Sequence, residues 1–133
     1  MGRKWLVPIL IFIGVFVLSS QGLKGGPEVS VKEAAALMKG NPRPVVIDVR
    51  TTADYEQGHL PGALLVPSAE FKERLTVLKL PKIDPLILYS GDDTRARDAT
   101  KLLYESGYQG ALTLKGGIDA WREAGHAVAK KKP

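Results

Sequence analysis

No cysteine occurs anywhere in the 133 residues. That absence excludes a disulfide framework, a zinc knuckle, an iron–sulfur cluster, a thiolate nucleophile and a persulfide carrier built from this chain alone. Aromatic residues are scarce at 7 %, and no row of them is spaced to stack successive bases. No acidic cluster has metal-ligand spacing, so neither a metal nor a cofactor is expected. Net charge is missing from the body of the chain as well. The formal +5 resides at the ends, in Arg3 and Lys4 and in Lys130, Lys131 and Lys132. Without those five, 14 basic residues face 14 acidic ones, and no nucleic-acid partner is expected. The composition, 44 % hydrophobic and 25 % charged, is that of one globular domain with its own core.

Trp5 to Leu18 is an uninterrupted apolar run, WLVPILIFIGVFVL, behind Met1-Gly2-Arg3-Lys4. A basic start followed by such a run is the pattern of a secretory leader. As a helix it spans roughly 21 Å, short of the ~30 Å hydrocarbon core of a bilayer. Recruiting Ser19 to Leu23 would make it a marginal anchor. Residues 1–22 are therefore expected to form a leader helix, either a signal peptide or an N-terminal membrane anchor. With Arg3 and Lys4 held inside, the remainder faces outward, which implies an exported, periplasmic or otherwise extracytoplasmic protein, soluble or tethered. Residues 23–27 read as a linker, 28–128 as the domain and 129–133 as a basic, solvated tail.

Within the domain, Ser30 and Glu33 have capping-box spacing and open a helix, VKEAAALMK, that Gly40 closes. PVVIDVR is apolar without alternation, as a strand buried on both faces requires. Thr52 to Gln57 predicts a short helical turn ended by Gly58, ALLV (63–66) a strand, and Ser68 the cap of a helix over about 69–78. PLILY (85–89) is a third strand. A helix follows SGDDTR and runs to about Ser106, with Gly107 beyond it. ALTL (111–114) is a fourth strand, Gly116-Gly117 a turn, and IDAWREA a last helix with Trp121 in the core. Strands alternating with helices imply an α/β fold with a parallel sheet covered on both faces. Ligands of such sheets sit beyond the carboxyl ends of the strands. That rule selects the loops DVRTT and SGDDTR, which are expected to lie side by side.

These stretches resemble a known family. VVIDVRTTADYEQGHLPGALLVP is similar to the entry motif of rhodanese domains. LILYSGDDTRARDATKLLYESGYQGALTLKGGIDAWREAGH is similar to their second half, from the active-site loop to the last helix. Together they span about residues 28–128. The resemblance implies the rhodanese-type α/β fold, a central parallel sheet with helices on both faces, preceded here by the leader helix. In that family a loop cysteine accepts a sulfane sulfur from donors such as thiosulfate and passes it to a nucleophile. The family's loop reads Cys-x-x-Gly-x-Arg. Here Ser90 stands at the cysteine position and Asp93 at the glycine, while Arg95 matches the terminal arginine. The related cell-cycle phosphatases use a loop one residue longer, so the spacing points to sulfurtransferase ancestry.

A serine hydroxyl is far less acidic than a thiol and forms no persulfide. Ser90, Gly91, Asp92, Asp93, Thr94 and Arg95 then read as a binding loop, supported by Asp48, Arg50, Glu56 and His59. Asp48 and Arg50 are expected to fix the loop after their strand through hydrogen bonds, with pocket lining a second option for Arg50. Glu56 is expected to pair with a basic neighbour, and His59 to be structural. Backbone amides at a helix N-terminus favour an anion. With two carboxylates placed there, the expectation is a self-occupied cradle: Asp93 caps the helix and Arg95 pairs with an acidic neighbour. Plain surface caps are the alternative role for both aspartates, and for Asp92 in particular. A serine nucleophile needs a base within reach, G-x-S-x-G is absent, and no motif places His59 or His126 for that task. Two readings follow. One is a non-catalytic module that meets a protein partner or a small anionic or sulfur ligand at the 90–95 loop beside residues 50–60. The other is an enzyme in which a partner supplies the thiol, or Ser90 and Arg95 run different chemistry.

Overall fold

The three central strands of the sheet each carry side chains for two cores at once. A computed structural model describes residues 26–131; the expected leader, and the outer parts of the linker and tail, lie outside the described residues. The elements in chain order are β1 (Glu28–Val29), α1 (Val31–Met38), β2 (Val45–Asp48), α2 (Thr52–Gln57) and β3 (Leu64–Leu65). A 3-10 turn (Ser68–Glu70), α3 (Phe71–Leu75), β4 (Leu86–Tyr89), α4 (Asp93–Glu105), β5 (Ala111–Leu114) and α5 (Gly117–Glu123) follow. The five strands form one sheet in the order β1-β5-β4-β2-β3, parallel throughout.

Alternate side chains of the strands enter opposite cores. Val46, Ile87, Tyr89, Leu112 and Leu114 pack with Ala34 of α1, Tyr55 of α2, and Ile118 and Trp121 of α5. Ile47, Leu86, Leu88 and Ala111 pack with Phe71 of α3 and Ala96, Ala99 and Leu103 of α4. Both faces are thus covered, the sequence runs are apolar without alternation for that reason, and the fold is the expected α/β architecture. Thr113, which points into the second core, is satisfied there by a 2.8 Å hydrogen bond from its hydroxyl to that of Thr100.

Local signals account for most element ends. The capping box of α1 is complete: Glu33 N donates to Ser30 Oγ at 3.1 Å, and Ser30 N to the Glu33 carboxylate at 3.4 Å. Thr51 caps α2 through Asp54 N. Ser106 closes α4, with Gly107 beyond it at φ +96°. Gly40 follows α1, but the right-handed Lys39 is the cap.

Three expectations need correction. β1 was not anticipated: two residues after Pro27 carry no periodic signal, and Glu28 and Val29 become a strand only by pairing with Thr113 and Leu114. The expected helix over 69–78 is a 3-10 turn followed by the five-residue α3, and Ser68 makes no side-chain cap. Leu78 and Leu80, beyond the end of α3, are held by packing against the second core without a regular helix, and β-branched Thr76 and Val77 give helix continuation little support. Finally, Ala129 pairs with His59 in an antiparallel bridge, so the first tail residue belongs to the fold.

Among the described residues no helix is long and apolar enough to cross a membrane. The capping box yields a direct test. Ser30→Ala is expected to lower stability by about 1 kcal/mol, read as a reduced urea midpoint with unchanged slope, since it removes an acceptor without touching the core.

Candidate binding site

Strands β2 and β4 are neighbours in register, with Asp48 opposite Tyr89. That places the loops leaving them side by side, as the sequence implied. It also puts a carboxylate and a phenol together at the buried end of the sheet, both at 0 % exposure. Asp48 accepts from Arg50 three times: from its backbone N–H at 2.9 Å, from Nε at 3.0 Å and from Nη2 at 2.7 Å. Tyr89 OH donates to the same carboxylate at 2.8 Å and accepts from Leu60 N at 3.0 Å. Arg50 Nη2 also donates to Gly58 O at 2.6 Å, and its guanidinium lies 5.5 Å from the centre of the Tyr89 ring.

Burial works against the charge on Arg50, but the hydrogen bond and negative charge of Asp48 outweigh it and raise its pKa. Burial, and then the charge of Asp48, push the Tyr89 phenol above its usual range. Arg50 is only 8 % exposed. It supports the loop, as expected, and is not a wall of an open pocket. His59 is likewise structural: buried, stacked on Tyr55 with ring centres 3.7 Å apart, and tied through Nδ1 to Tyr55 O at 2.8 Å. Glu56 departs from expectation. It is exposed and, among the described residues, has no basic partner within 4.0 Å.

The second loop is closed on itself. Ser90 is 1 % exposed; its hydroxyl donates to Asp92 O and accepts from Ala96 N at 3.3 Å. Among the described residues no side-chain base is a hydrogen-bond partner of Ser90. Asp92, not Asp93, caps α4, accepting from Thr94 N at 3.0 Å. The plain cap role is therefore the correct one for Asp92. Two amides at the start of α4 are thus occupied by the chain's own oxygens. This fills the cradle in part, with Ser90 and Asp92 in the part expected of Asp93. Asp93 turns aside: its Oδ2 accepts from Gly116 N at 3.0 Å and lies 3.5 Å from Arg97 Nη2. Its Oδ1 is buried without a partner among the described residues. Arg97 reaches on to Glu28 at 3.8 Å.

The β5–α5 turn presses against this loop from the other side. Ile118 N donates to Ser90 O at 3.3 Å, and a Cβ on Gly117 (φ +60°) would overlap that carbonyl. Glycine is required there. Gly91 faces open space, and Thr94 and Arg95 are exposed. Arg95, contrary to expectation, has no acidic partner within 4.0 Å among the described residues and instead lines a neighbouring groove. Among those residues no cluster of His, Asp or Glu is arranged to hold a metal ion. Sequence reading missed Tyr89 and Arg97. The spacing of Asp93 and Arg97, one helical turn apart, was a usable signal.

Comparison with known proteins agrees with this architecture. A family model described as "Rhodanese-like domain" matches residues 30–124. A protein named sulfurtransferase from Allochromatium vinosum is 33 % identical over 81 residues, covering 61 % of this chain and 74 % of that protein. The probable adenylyltransferase/sulfurtransferase MoeZ of Mycobacterium tuberculosis is 26 % identical over 110 residues, 83 % of this chain; the match spans only 28 % of that longer protein. The solved structure of the human single-domain sulfurtransferase TSTD1 superposes with a TM-score of 0.65 at 28 % identity, covering 74 % of this chain and 96 % of that one.

Tyr89→Phe tests the buried hub. It strips one donor from Asp48 and leaves Leu60 N–H without its acceptor, an expected loss of about 1–3 kcal/mol by urea unfolding at neutral pH. Because the folded-state pKa of Tyr89 is raised above 10.0, its contribution is complete below that pH and is lost as pH rises toward the folded value. The alkaline fall in stability is therefore expected to be shallower in the phenylalanine variant.

Proposed function

This chain belongs to the rhodanese-like domain family, and on that premise we propose that it is a non-catalytic member acting as an exported binding module. One observation carries the reading: a serine oxygen stands where the family's chemistry needs sulfur, in a chain with no cysteine to replace it. Sulfane transfer from thiosulfate forms a bond from a thiolate to the outer sulfur and releases sulfite, leaving a persulfide. Serine offers an alkoxide only at an inaccessible pKa and yields no persulfide. The hydrogen bonds of Ser90 add support, since its proton lies on Asp92 O and no base stands by to remove it.

The binding surface is the 90–95 loop beside residues 50–60, and its occupant is a protein partner or a small anionic ligand. Export rests on the leader sequence. In that reading the domain sits on the outer side of a membrane, tethered or released, and cell fractionation recovers it there. Recovery in the cytosol overturns that part.

Cyanide-dependent thiosulfate consumption separates this module from an enzyme. The parent chain is expected to form thiocyanate at the background rate, and Ser90→Cys above it. Turnover by the purified parent would overturn the proposal. Silence in both proteins leaves the parent non-catalytic and gives Asp92 and Asp93 a share in closing the loop.

A further inference from the structure

Arg95 ends the loop but takes no part in the loop's own hydrogen bonds. Its side chain lines a cavity of about 290 Å³ between the Ser68–Glu70 turn, α3 and α4, together with Ser68, Phe71, Lys72, Asp98 and Leu102. The volume lies just below the range for ligand pockets, about 300–1,000 Å³, which limits the occupant to a small molecule. The floor is apolar: Phe71 is buried and Leu102 half-buried. The rim is polar and mostly basic. Among the described residues neither Lys72 nor Arg95 has a carboxylate within 4.0 Å, and Asp98 has no cation within that distance. Two cations therefore stand against one anion.

The other charges near the start of α4 are engaged elsewhere. Asp92 faces Thr94 N, and Asp93 faces Gly116 N and Arg97. Arg95 also stands in the first turn of the thirteen-residue α4, where the helix dipole adds positive potential.

We propose that this groove binds a small monocarboxylate with a short aliphatic tail, its head between Arg95 and Lys72 and its tail on Phe71 and Leu102. A planar carboxylate fits the guanidinium fork with two parallel hydrogen bonds. A dianion such as phosphate is repelled by Asp98 in the same wall more strongly than a monoanion is. A protein partner would need an apolar centre framed by polar groups. In this groove the large apolar side chains, Phe71 and Leu102, lie on the floor beneath the charged rim, which suits a short tail. The assignment deepens the binding-module reading and rests on it, because Arg95 belongs to the same loop.

Hexanoate titrated into isotope-labelled full-length protein, followed by amide chemical shifts, tests the site. The expected result is saturable shifts at Ser68, Lys72, Arg95, Asp98 and Leu102, with a Kd below about 1 mM. Arg95→Gln, at an exposed position that leaves the core intact, is expected to weaken binding about tenfold, and Asp98→Asn to tighten it. Hexan-1-ol, with the same tail and no charge, is expected to bind at least about tenfold more weakly than hexanoate. Equal binding of acid and alcohol, no saturation, or shifts confined to other residues would overturn the assignment. Thiocyanate formation by the parent defeats the binding-module reading whatever the groove holds. A catalytically silent parent that ignores hexanoate defeats the groove alone.

Discussion

Asp48 is a carboxylate with no exposed surface, and an ionised carboxylate is not tolerated in a core without partners. Everything around the site follows from satisfying it. Arg50 brings a backbone N–H and a forked guanidinium, and Tyr89 a hydroxyl. Each partner then holds a second group: Arg50 the carbonyl of Gly58, Tyr89 the amide of Leu60. The turn from Gly58 to Leu60 is thereby tied at both ends to the strands from which the two loops depart. Removing one member of such a buried pair costs about 3–5 kcal/mol because the other is left charged and alone. The cluster consequently fixes where the loops stand, and it does so independently of any chemistry performed in them.

That independence explains how the scaffold accommodates an oxygen in place of sulfur. Ser90 lies on the strand-to-helix turn, one residue beyond the hub. The Asp48–Arg50–Tyr89 bonds do not involve its hydroxyl. Its carbonyl, not its side chain, meets the β5–α5 turn. A change of side chain there alters reactivity and leaves the framework in place. Fold and function separate at this residue: the sheet, the hub and the turn persist while the nucleophile is gone.

Much of this was legible because it is local. Strands buried on both faces announce themselves as unbroken apolar runs, and Ser30, Gly58 and Gly107 mark helix ends through chemistry within four residues. β1 was illegible because two residues have no period, and Glu28 and Val29 are extended only because β5 offers an edge. The stretch from Ser68 to Leu80 misled because its leucines recur at near-helical spacing while packing against the core from an irregular chain. At the site, Asp48 with Arg50 could be read from two residues of separation. Tyr89, forty-one residues from Asp48, needed the parallel register. The contact of Asp93 was missed for a similar reason. An acidic residue in a first turn has the option of capping, and the competing Gly116 amide comes from a loop twenty-three residues away.

The electrostatics of the loop differ from a simple loss of function. An anion-binding turn presents amides at a helix N-terminus, and here Thr94 N and Ala96 N are already bonded to Asp92 and Ser90. Asp93 adds a second negative charge, linked through Arg97 to Glu28 on the far edge of the sheet. The positive end of α4 is thus answered by the protein's own oxygens, and Asp93 adds a negative charge beside it. Arg95, the one free cation of the loop among the described residues, stands over the groove toward α3 instead. With the proposed groove, attraction for an anion moves off the strand end and onto the flank of the helix. A ligand held there would need no nucleophile at Ser90, and in that proposal the missing sulfur and the free charge of Arg95 share a common physical logic.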